Sequence, residues 1–67
     1  MKIKIDTAYI TLAQFLKMAD FVNSGGEAKY AVKEMDIIVN GEKENRRGRK
    51  LYRNDQIIVN GDSYTNL

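Results

Sequence analysis

The chain contains neither cysteine nor histidine, so neither a disulfide nor a zinc site built from these ligands can stabilise its fold. Its 67 residues are enough for one compact domain. Folding at this size buries only about 60% of the surface that an unfolded chain exposes, and many domains this small depend on cross-links. We therefore expect a single domain that rests on a modest apolar core and on strong local signals for helices, strands and turns.

No part of the sequence has the composition of a targeting or membrane-spanning segment. The first six residues, MKIKID, lack the apolar run of a signal peptide, and no stretch approaches the roughly 20 apolar residues of a membrane span. The absence of cysteine fits a reducing compartment. We therefore expect a cytoplasmic protein that has no membrane partner.

Positive charge is concentrated in the second half of the chain. Residues 1–28 contain three bases and three acids, and residues 54–67 contain two acids and no base. Residues 29–53 contain eight bases and four acids, whereas the whole chain has a net charge of only +2. This asymmetry is the first indication of function.

The first part of the sequence predicts a strand and then a helix. Polar and apolar residues alternate at positions 2–6, which predicts a strand with its two isoleucines on the buried face. Thr11 begins the helix, because Thr11 and Gln14 have the spacing of a capping box, and the helix is expected to fade at residues 20–23. It presents one apolar stripe to the core, formed by Leu12, Phe15, Leu16 and Ala19.

A second helix begins at Ser24 by the same chemistry. Ser24 and Glu27 form another capping-box pattern. Gly25 and Gly26 occupy the first turn, where glycine lowers helix stability less than in a helix interior. Without side chains, they leave the backbone N–H groups open to an anion. The core stripe of this helix is formed by Ala28, Ala31, Val32 and Met35.

A β-hairpin follows the second helix. Residues 37–39 are β-branched, and Asn40–Gly41 is a strong signal for a type I′ turn. The returning strand begins at Glu42 and leads into residues 45–53, which we call the basic segment. The basic segment contains five bases, one tyrosine and no acid. Its glycine, Gly48, would permit either a turn or the close approach of a ligand.

The chain ends with one further predicted strand. Asn54–Asp55 forms a turn, in which Asn tolerates the left-handed region, and residues 56–59 form the strand. Asn60–Gly61 is another turn signal, but residues 60–67 are expected to be a tail outside a core of residues 2–59. The predicted order is β-α-α-β-β-β, an α+β fold with two short helices packed on a small, mostly antiparallel sheet.

This order of elements, with its capping and turn residues, resembles the S4-type RNA-binding domain, also called the alpha-L motif. The resemblance rests on residues 11–16 (TLAQFL), 24–29 (SGGEAK) and 38–41 (IVNG), followed by the basic segment and residues 54–57 (NDQI). Within the family, the stretch VNGEKENRRGRKL is similar to that of single-domain bacterial proteins of the YaaA and YbcJ kind. We therefore expect one S4-like domain over residues 1–67.

The resemblance implies binding of structured RNA, in particular ribosomal RNA or an assembling ribosomal subunit, without a cofactor, a metal or a small-molecule substrate. Enzymes of the family join this module to a separate catalytic domain. Because the chain also lacks Cys and His as nucleophile or base, we expect no catalysis. In many domains of the wider family an arginine follows the serine, where this chain has Ser24–Gly25, so one expected phosphate contact is missing.

The basic segment is the main candidate site for RNA. Four of its five bases are Arg, whose planar guanidinium grips phosphate oxygens with two hydrogen bonds and stacks on unpaired bases. The resemblance implies that these bases lie beside the lysines of the second helix and form one surface able to neutralise several phosphates. Tyr52 is the one aromatic residue singled out for stacking on a base. The residues expected to contact RNA are Ser24, Gly25, Gly26, Lys29, Lys33, Lys43, Asn45, Arg46, Arg47, Arg49 and Lys50.

Each of these features also has a purely structural explanation. The basic segment could be an ordinary solvated hairpin, Lys29 and Lys33 the solvated side of a helix, and Ser24 a cap alone. Two other functions stay open: a module that docks an acidic protein partner, and DNA binding through the two helices. The second helix lacks the Asn, Gln or Arg side chains expected to read bases in a major groove, and SGG lacks the spacing of a nucleotide-binding loop.

Overall fold

The two helices and four of the strands lie close to the positions that the sequence predicts, and the α+β class is confirmed, whereas the strands at residues 9–11, 50–52 and 62–66 are not predicted from the sequence. The computed structural model describes residues 2–67, with residues 2 and 3 described by their backbone alone. Seven strands and two helices follow in the order β1 (Lys2–Ile3), β2 (Tyr9–Thr11), α1 (Leu12–Met18), α2 (Gly25–Glu34), β3 (Ile37–Val39), β4 (Glu42–Lys43), β5 (Lys50–Tyr52), β6 (Gln56–Val59) and β7 (Asp62–Asn66).

Both helices begin at their predicted capping residues. The Thr11 hydroxyl accepts from the Gln14 N–H at 3.2 Å, and the Gln14 side chain accepts from the Thr11 N–H at 2.8 Å, which completes a capping box. At α2 the Ser24 hydroxyl accepts from the Glu27 N–H at 3.3 Å. The prediction that the Glu27 side chain would complete a capping box with the Ser24 N–H is wrong. The Glu27 carboxylate accepts from the Asn23 N–H at 3.0 Å instead.

The connection between the helices begins earlier than predicted. α1 ends at Met18, before the predicted fade at residues 20–23, and Asp20 adopts the left-handed region with φ 63°. The N–H groups of Phe21 and Val22 then point back to the Leu16 carbonyl. This reversal buries Val22 and leaves Phe21 half-buried against the core. Neither helix of the described chain is long and apolar enough to cross a membrane.

The strands form two sheets. The larger has the order β1-β7-β6-β3-β4, in which only β1 and β7 are parallel, and the smaller pairs β2 with β5. The β3–β4 and β6–β7 hairpins both turn through Asn-Gly. Asn40 and Asn60 have φ 51° and 50°, and the glycines after them have φ 85° and 90°, as type I′ turns require.

The core lies between the helices and the sheets. Ile5 is buried, as predicted for the first strand, while the same prediction for Ile3 lies outside the described side chains. Ala19 and Met35, at the ends of the two predicted stripes, are only partly buried. The buried apolar residues are Ile5, Ile10, Leu12, Phe15, Leu16, Val22, Ala28, Ala31, Val32, Ile37, Val39, Leu51, Ile57, Val59 and Tyr64.

Residues 60–67 do not form a tail. Most of them belong to β7, which pairs with β6 on one side and β1 on the other. Tyr64 is only 8% exposed, and its ring meets Phe15 and Phe21 edge-on at centroid distances of 5.4 and 5.8 Å. The Asn60–Gly61 turn explains this strand, because it returns the chain antiparallel to β6 and places alternate side chains on the core face.

We expect Tyr64→Ala to lower the free energy of unfolding by about 3 kcal/mol, because it leaves a large cavity beside two aromatic rings. Urea denaturation followed by circular dichroism measures the change. Tyr30→Ala is the matched control, because Tyr30 is 66% exposed and should change stability by less than about 0.5 kcal/mol. Equal small effects of the two substitutions would favour a loosely attached C-terminal segment.

Candidate nucleic-acid interface

The backbone of the basic segment is fixed to the start of α1. The N–H groups of the first turn of a helix have no partner within the helix and need outside acceptors. Here the Leu12 N–H donates to the Arg49 carbonyl at 2.8 Å, and the Ala13 N–H donates to the Arg47 carbonyl at 2.9 Å. The basic segment is therefore held in place by α1, and it occupies the anion-attracting end of that helix.

A side chain of the basic segment joins it to the start of α2. The Arg47 Nη1 donates to the Gly25 carbonyl at 3.0 Å. Beyond this contact the helix start is open, because a side-chain carbon added at Gly25 would meet nothing within 4 Å. The arrangement brings a guanidinium next to the exposed first turn of α2, which also contains Ser24 and Gly26.

The other end of α2 also faces residues that precede and begin the basic segment. Lys33 lines a groove of about 240 Å³ together with Lys43, Glu44 and Asn45. Because Arg47 reaches the first turn of α2 and Lys43 lies near its last turn, the chain here runs antiparallel to the helix. Lys29 lies one turn from Gly25 and one turn from Lys33, so it occupies the same row of the helix surface.

Glu44 is not among the predicted site residues, but its carboxylate accepts hydrogen bonds from two of the predicted arginines. Its side chain is buried, at 7% exposure for the residue. One oxygen accepts from the Arg46 Nε at 2.9 Å, and the other accepts from the Arg46 Nη2 at 3.2 Å and the Arg49 Nη1 at 2.9 Å. The backbone N–H groups of Asn45 and Arg46 donate to the same carboxylate at 3.2 and 3.1 Å. These donors offset the cost of burying the charge.

The contacts of Glu44 shift its titration strongly. The hydrogen bond from the Arg46 side chain lowers the pKa of Glu44 from 4.5 to about 2, with further help from Arg49 and against the opposing effect of burial. The same hydrogen bond raises the pKa of Arg46. Both guanidiniums are therefore oriented by hydrogen bonds to an ionised carboxylate.

Glu44 divides the predicted site residues into two classes. Arg46 and Arg49 share its single negative charge, so together with it they carry a net charge of +1. Lys43 forms a long ion pair of 3.8 Å with Asp36, in which both side chains are mostly exposed. By contrast, no carboxylate of residues 2–67 forms an ion pair with the remaining bases of the predicted site, which are Lys29, Lys33, Arg47 and Lys50.

A second groove lies beside the two arginines that contact Glu44. It has a volume of about 500 Å³ and is lined by Arg46, Arg49, Lys50 and Tyr52 among others. Gly48, which also lines it, lies in a turn closed by the Arg49 N–H donating to the Arg46 carbonyl at 3.2 Å, without a left-handed φ. The predicted site therefore has two parts joined by Glu44, one along α2 and one beside β5.

Arg53, the last base of the basic segment, lines neither groove and donates to the Ile5 carbonyl at 3.4 Å.

The described side chains offer ionic contacts and no cluster of metal ligands. Among residues 2–67, no group of three or more His, Cys, Asp or Glu side chains is placed to hold a metal ion. The arrangement offers fixed and mobile cations around open grooves, which suits the binding of a polyanion.

Comparisons with known proteins agree with the resemblance stated from the sequence. The family model for the S4 domain matches residues 3–65, so the match includes most of β7. Over 59 residues the chain is 54% identical to a protein of Bacillus subtilis (strain 168), the probable ribosome maturation protein RlbA. This similarity covers 88% of the chain and 83% of the relative.

We expect Glu44→Gln to remove an acid-sensitive part of the stability. The folded pKa of about 2 lies below the ordinary value of 4.5, so the contribution of Glu44 is complete above pH 4.5 and is lost as the pH falls towards 2. At neutral pH it amounts to about 3 kcal/mol. Urea unfolding across this pH range should give a large difference between parent and variant near neutrality that shrinks on acidification.

Glu42→Gln is the matched control for this measurement. It removes the same charge two residues earlier in the chain, from an exposed side chain that forms no ion pair in the described chain. We expect it to change the unfolding free energy by less than about 0.5 kcal/mol at every pH. A pH-independent effect of equal size in both variants would contradict the pairing of Glu44 with the two arginines.

Proposed function

The chain belongs to the S4 domain family, and from this premise we propose that it binds structured RNA, namely ribosomal RNA or a maturing ribosomal subunit. The observation that carries the proposal is the contact of Arg47 with the Gly25 carbonyl, which joins the basic segment to the start of α2. The name of the Bacillus subtilis relative, a probable ribosome maturation protein, supports the choice of RNA. We further propose that the protein acts in the cytoplasm as a binding module without catalytic activity.

The bases without a carboxylate partner are proposed to provide most of the attraction to phosphate. Lys29, Lys33 and Arg47 lie along one face of α2 or at its start. Each phosphate that such a base neutralises releases counterions and adds to the salt dependence of binding. Lys43 and Asn45 flank this row at the far end of the groove.

The start of α2 is proposed to receive one phosphate group. Ser24, Gly25 and Gly26 leave backbone N–H groups exposed at the positive end of the helix dipole. Many domains of the wider family have arginine at the position of Gly25. In this chain the Arg47 guanidinium lies against the Gly25 carbonyl, so it supplies a positive charge at nearly the same place from another element.

Arg46 and Arg49 are proposed to act as oriented donors. A guanidinium has five N–H groups, and the two residues use only three of theirs on Glu44, which leaves others for phosphate oxygens. Orientation by Glu44 reduces the entropy lost on binding and favours one spacing of phosphates. We therefore propose recognition of RNA shape and backbone, since A-form helices hide their base edges in a deep groove.

An acidic protein partner remains the alternative function, because the same cations would attract carboxylates. RNA is favoured because the family and the relative's name both point to it. The two functions predict different competitors. Ribosomal RNA should displace a nucleic acid ligand at far lower concentration than heparin, whereas a general acidic-partner site should not distinguish the two polyanions.

We expect the double variant Lys29→Gln, Lys33→Gln to weaken binding to ribosomal RNA on the order of tenfold, and to reduce the slope of log K against log salt by about two. Binding of ribosomal RNA, duplex DNA and heparin is measured across a salt series. Neutral glutamine is preferable to charge reversal of the arginines, which would place new carboxylates beside buried Glu44 and disturb the fold.

Lys4→Gln with Lys17→Gln is the matched control. These two lysines are exposed and line neither groove, so the same loss of charge should leave the affinity within about twofold and the salt slope nearly unchanged. If the two double variants lose affinity equally, or if the parent binds RNA, DNA and heparin equally, the proposal reduces to attraction by net charge and is wrong.

A further inference from the structure

The outer face of the small β2–β5 sheet carries two exposed tyrosines. Tyr9 and Tyr52 are directly opposite in the antiparallel register, while Ile10 and Leu51 take the buried face. The two rings have centroids 5.7 Å apart and are 39% and 49% exposed as residues. Aromatic rings that only close a core edge would be covered more completely, so this pair offers a ring surface to a ligand.

Cations surround this ring surface. The Lys50 Nζ lies over the Tyr9 ring, 4.9 Å from its centroid, and so covers one face of that ring. Tyr52 lines the 500 Å³ groove together with Arg46, Arg49 and Lys50. The volume lies in the range of small-ligand sites, and it combines one accessible aromatic ring with three bases.

The one acidic residue that lines the groove, Asp55, forms hydrogen bonds within the protein. The Asp55 carboxylate accepts from the Tyr52 backbone N–H at 2.7 Å and from the Asn40 side-chain amide at 3.1 Å. The Oδ1 of the Asn40 side-chain amide in turn accepts from the Gln56 backbone N–H at 2.9 Å. These bonds hold Tyr52 and Asn40 in place, and they leave one N–H of the Asn40 amide available to a ligand.

We propose that this groove binds one unpaired nucleotide of an RNA, with its base stacked on Tyr52 and its phosphate held by Arg46, Arg49 and Lys50. The inference rests on the proposed RNA-binding function and adds a requirement to it. The bases of a continuous duplex are already stacked on each other, so a loop, bulge or end is needed to fill the groove. Charge complementarity and the aromatic ring together favour a nucleotide over an acidic peptide.

The test compares two RNA probes with the full chain. One is a short hairpin with a uridine tetraloop, and the other is a blunt duplex with the sequence of its stem. Tyr52→Ala should weaken hairpin binding roughly tenfold or more, which is the effect of removing one base–aromatic stack, and should leave duplex binding unchanged. The salt slope should not change, because the phosphate contacts remain.

Two further variants separate stacking from structural damage. Tyr52→Phe keeps the ring and should bind the hairpin as the parent does, and Tyr30→Ala, which removes an exposed tyrosine outside the groove, should leave the preference for the hairpin unchanged. Because the chain has no tryptophan, Tyr52→Trp places a single fluorophore in the groove. Its emission should be quenched by the hairpin and not by the duplex, even if Tyr52→Ala folds poorly.

The outcomes distinguish this inference from the function on which it rests. If parent and Tyr52→Ala bind hairpin and duplex with equal affinity and Tyr52→Trp emission does not change, the nucleotide site is wrong while RNA binding stands. If the parent binds neither probe and also fails to bind ribosomal RNA in the salt series, both are wrong. Quenching by an acidic peptide at lower concentration than by the hairpin would also overturn the site in favour of a protein partner.

Discussion

The ion pairs of Glu44 are the interaction on which the arrangement of the basic segment depends. The carboxylate of a residue with 7% exposure is stable as an anion only if donors surround it, and two guanidiniums and two backbone N–H groups do so. With Arg46 and Arg49 fixed in this way, the carbonyls of the basic segment meet the open first turn of α1. One buried charge therefore links a hairpin, a loop and a helix end.

Much of the fold could be predicted because its signals are local. Capping at Thr11 and Ser24 and the turn at Asn40–Gly41 each depend on residues within four positions of one another. The β2–β5 pair joins segments about forty residues apart and has only three residues in each strand, so no local pattern marks it. Tyr64 is the one large apolar residue of β7, among polar ones. The position of β7 depends on its pairing with β1 on one side and β6 on the other.

The candidate site was predictable in part for the same reason. The basic segment could be located by composition, but which of its bases are paired depends on a register. With a two-residue turn at Asn40–Gly41, Val39 lies opposite Glu42, and Ile37 lies opposite Glu44. The Glu44 N–H accordingly donates to the Ile37 carbonyl at 2.9 Å. Ile37 points into the core, and Glu44 lies on the same face of the hairpin, where it is buried. Glu42 stays exposed opposite buried Val39, so the register alone does not show which of the two carboxylates is buried, and counting charges does not show it either.

The division between paired and unpaired bases has a physical consequence for recognition. In the proposed interface, exposed lysines such as Lys29 and Lys33 would attract any polyanion and would lose side-chain entropy on binding. Arg46 and Arg49 have lost much of that freedom already, because Glu44 holds them, but the same carboxylate repels an approaching phosphate. A ligand that gains from these arginines must therefore place its phosphates on the donors that face away from Glu44. In the proposed interface, Glu44 would therefore lower the general attraction to negative charge and increase the dependence of binding on ligand geometry.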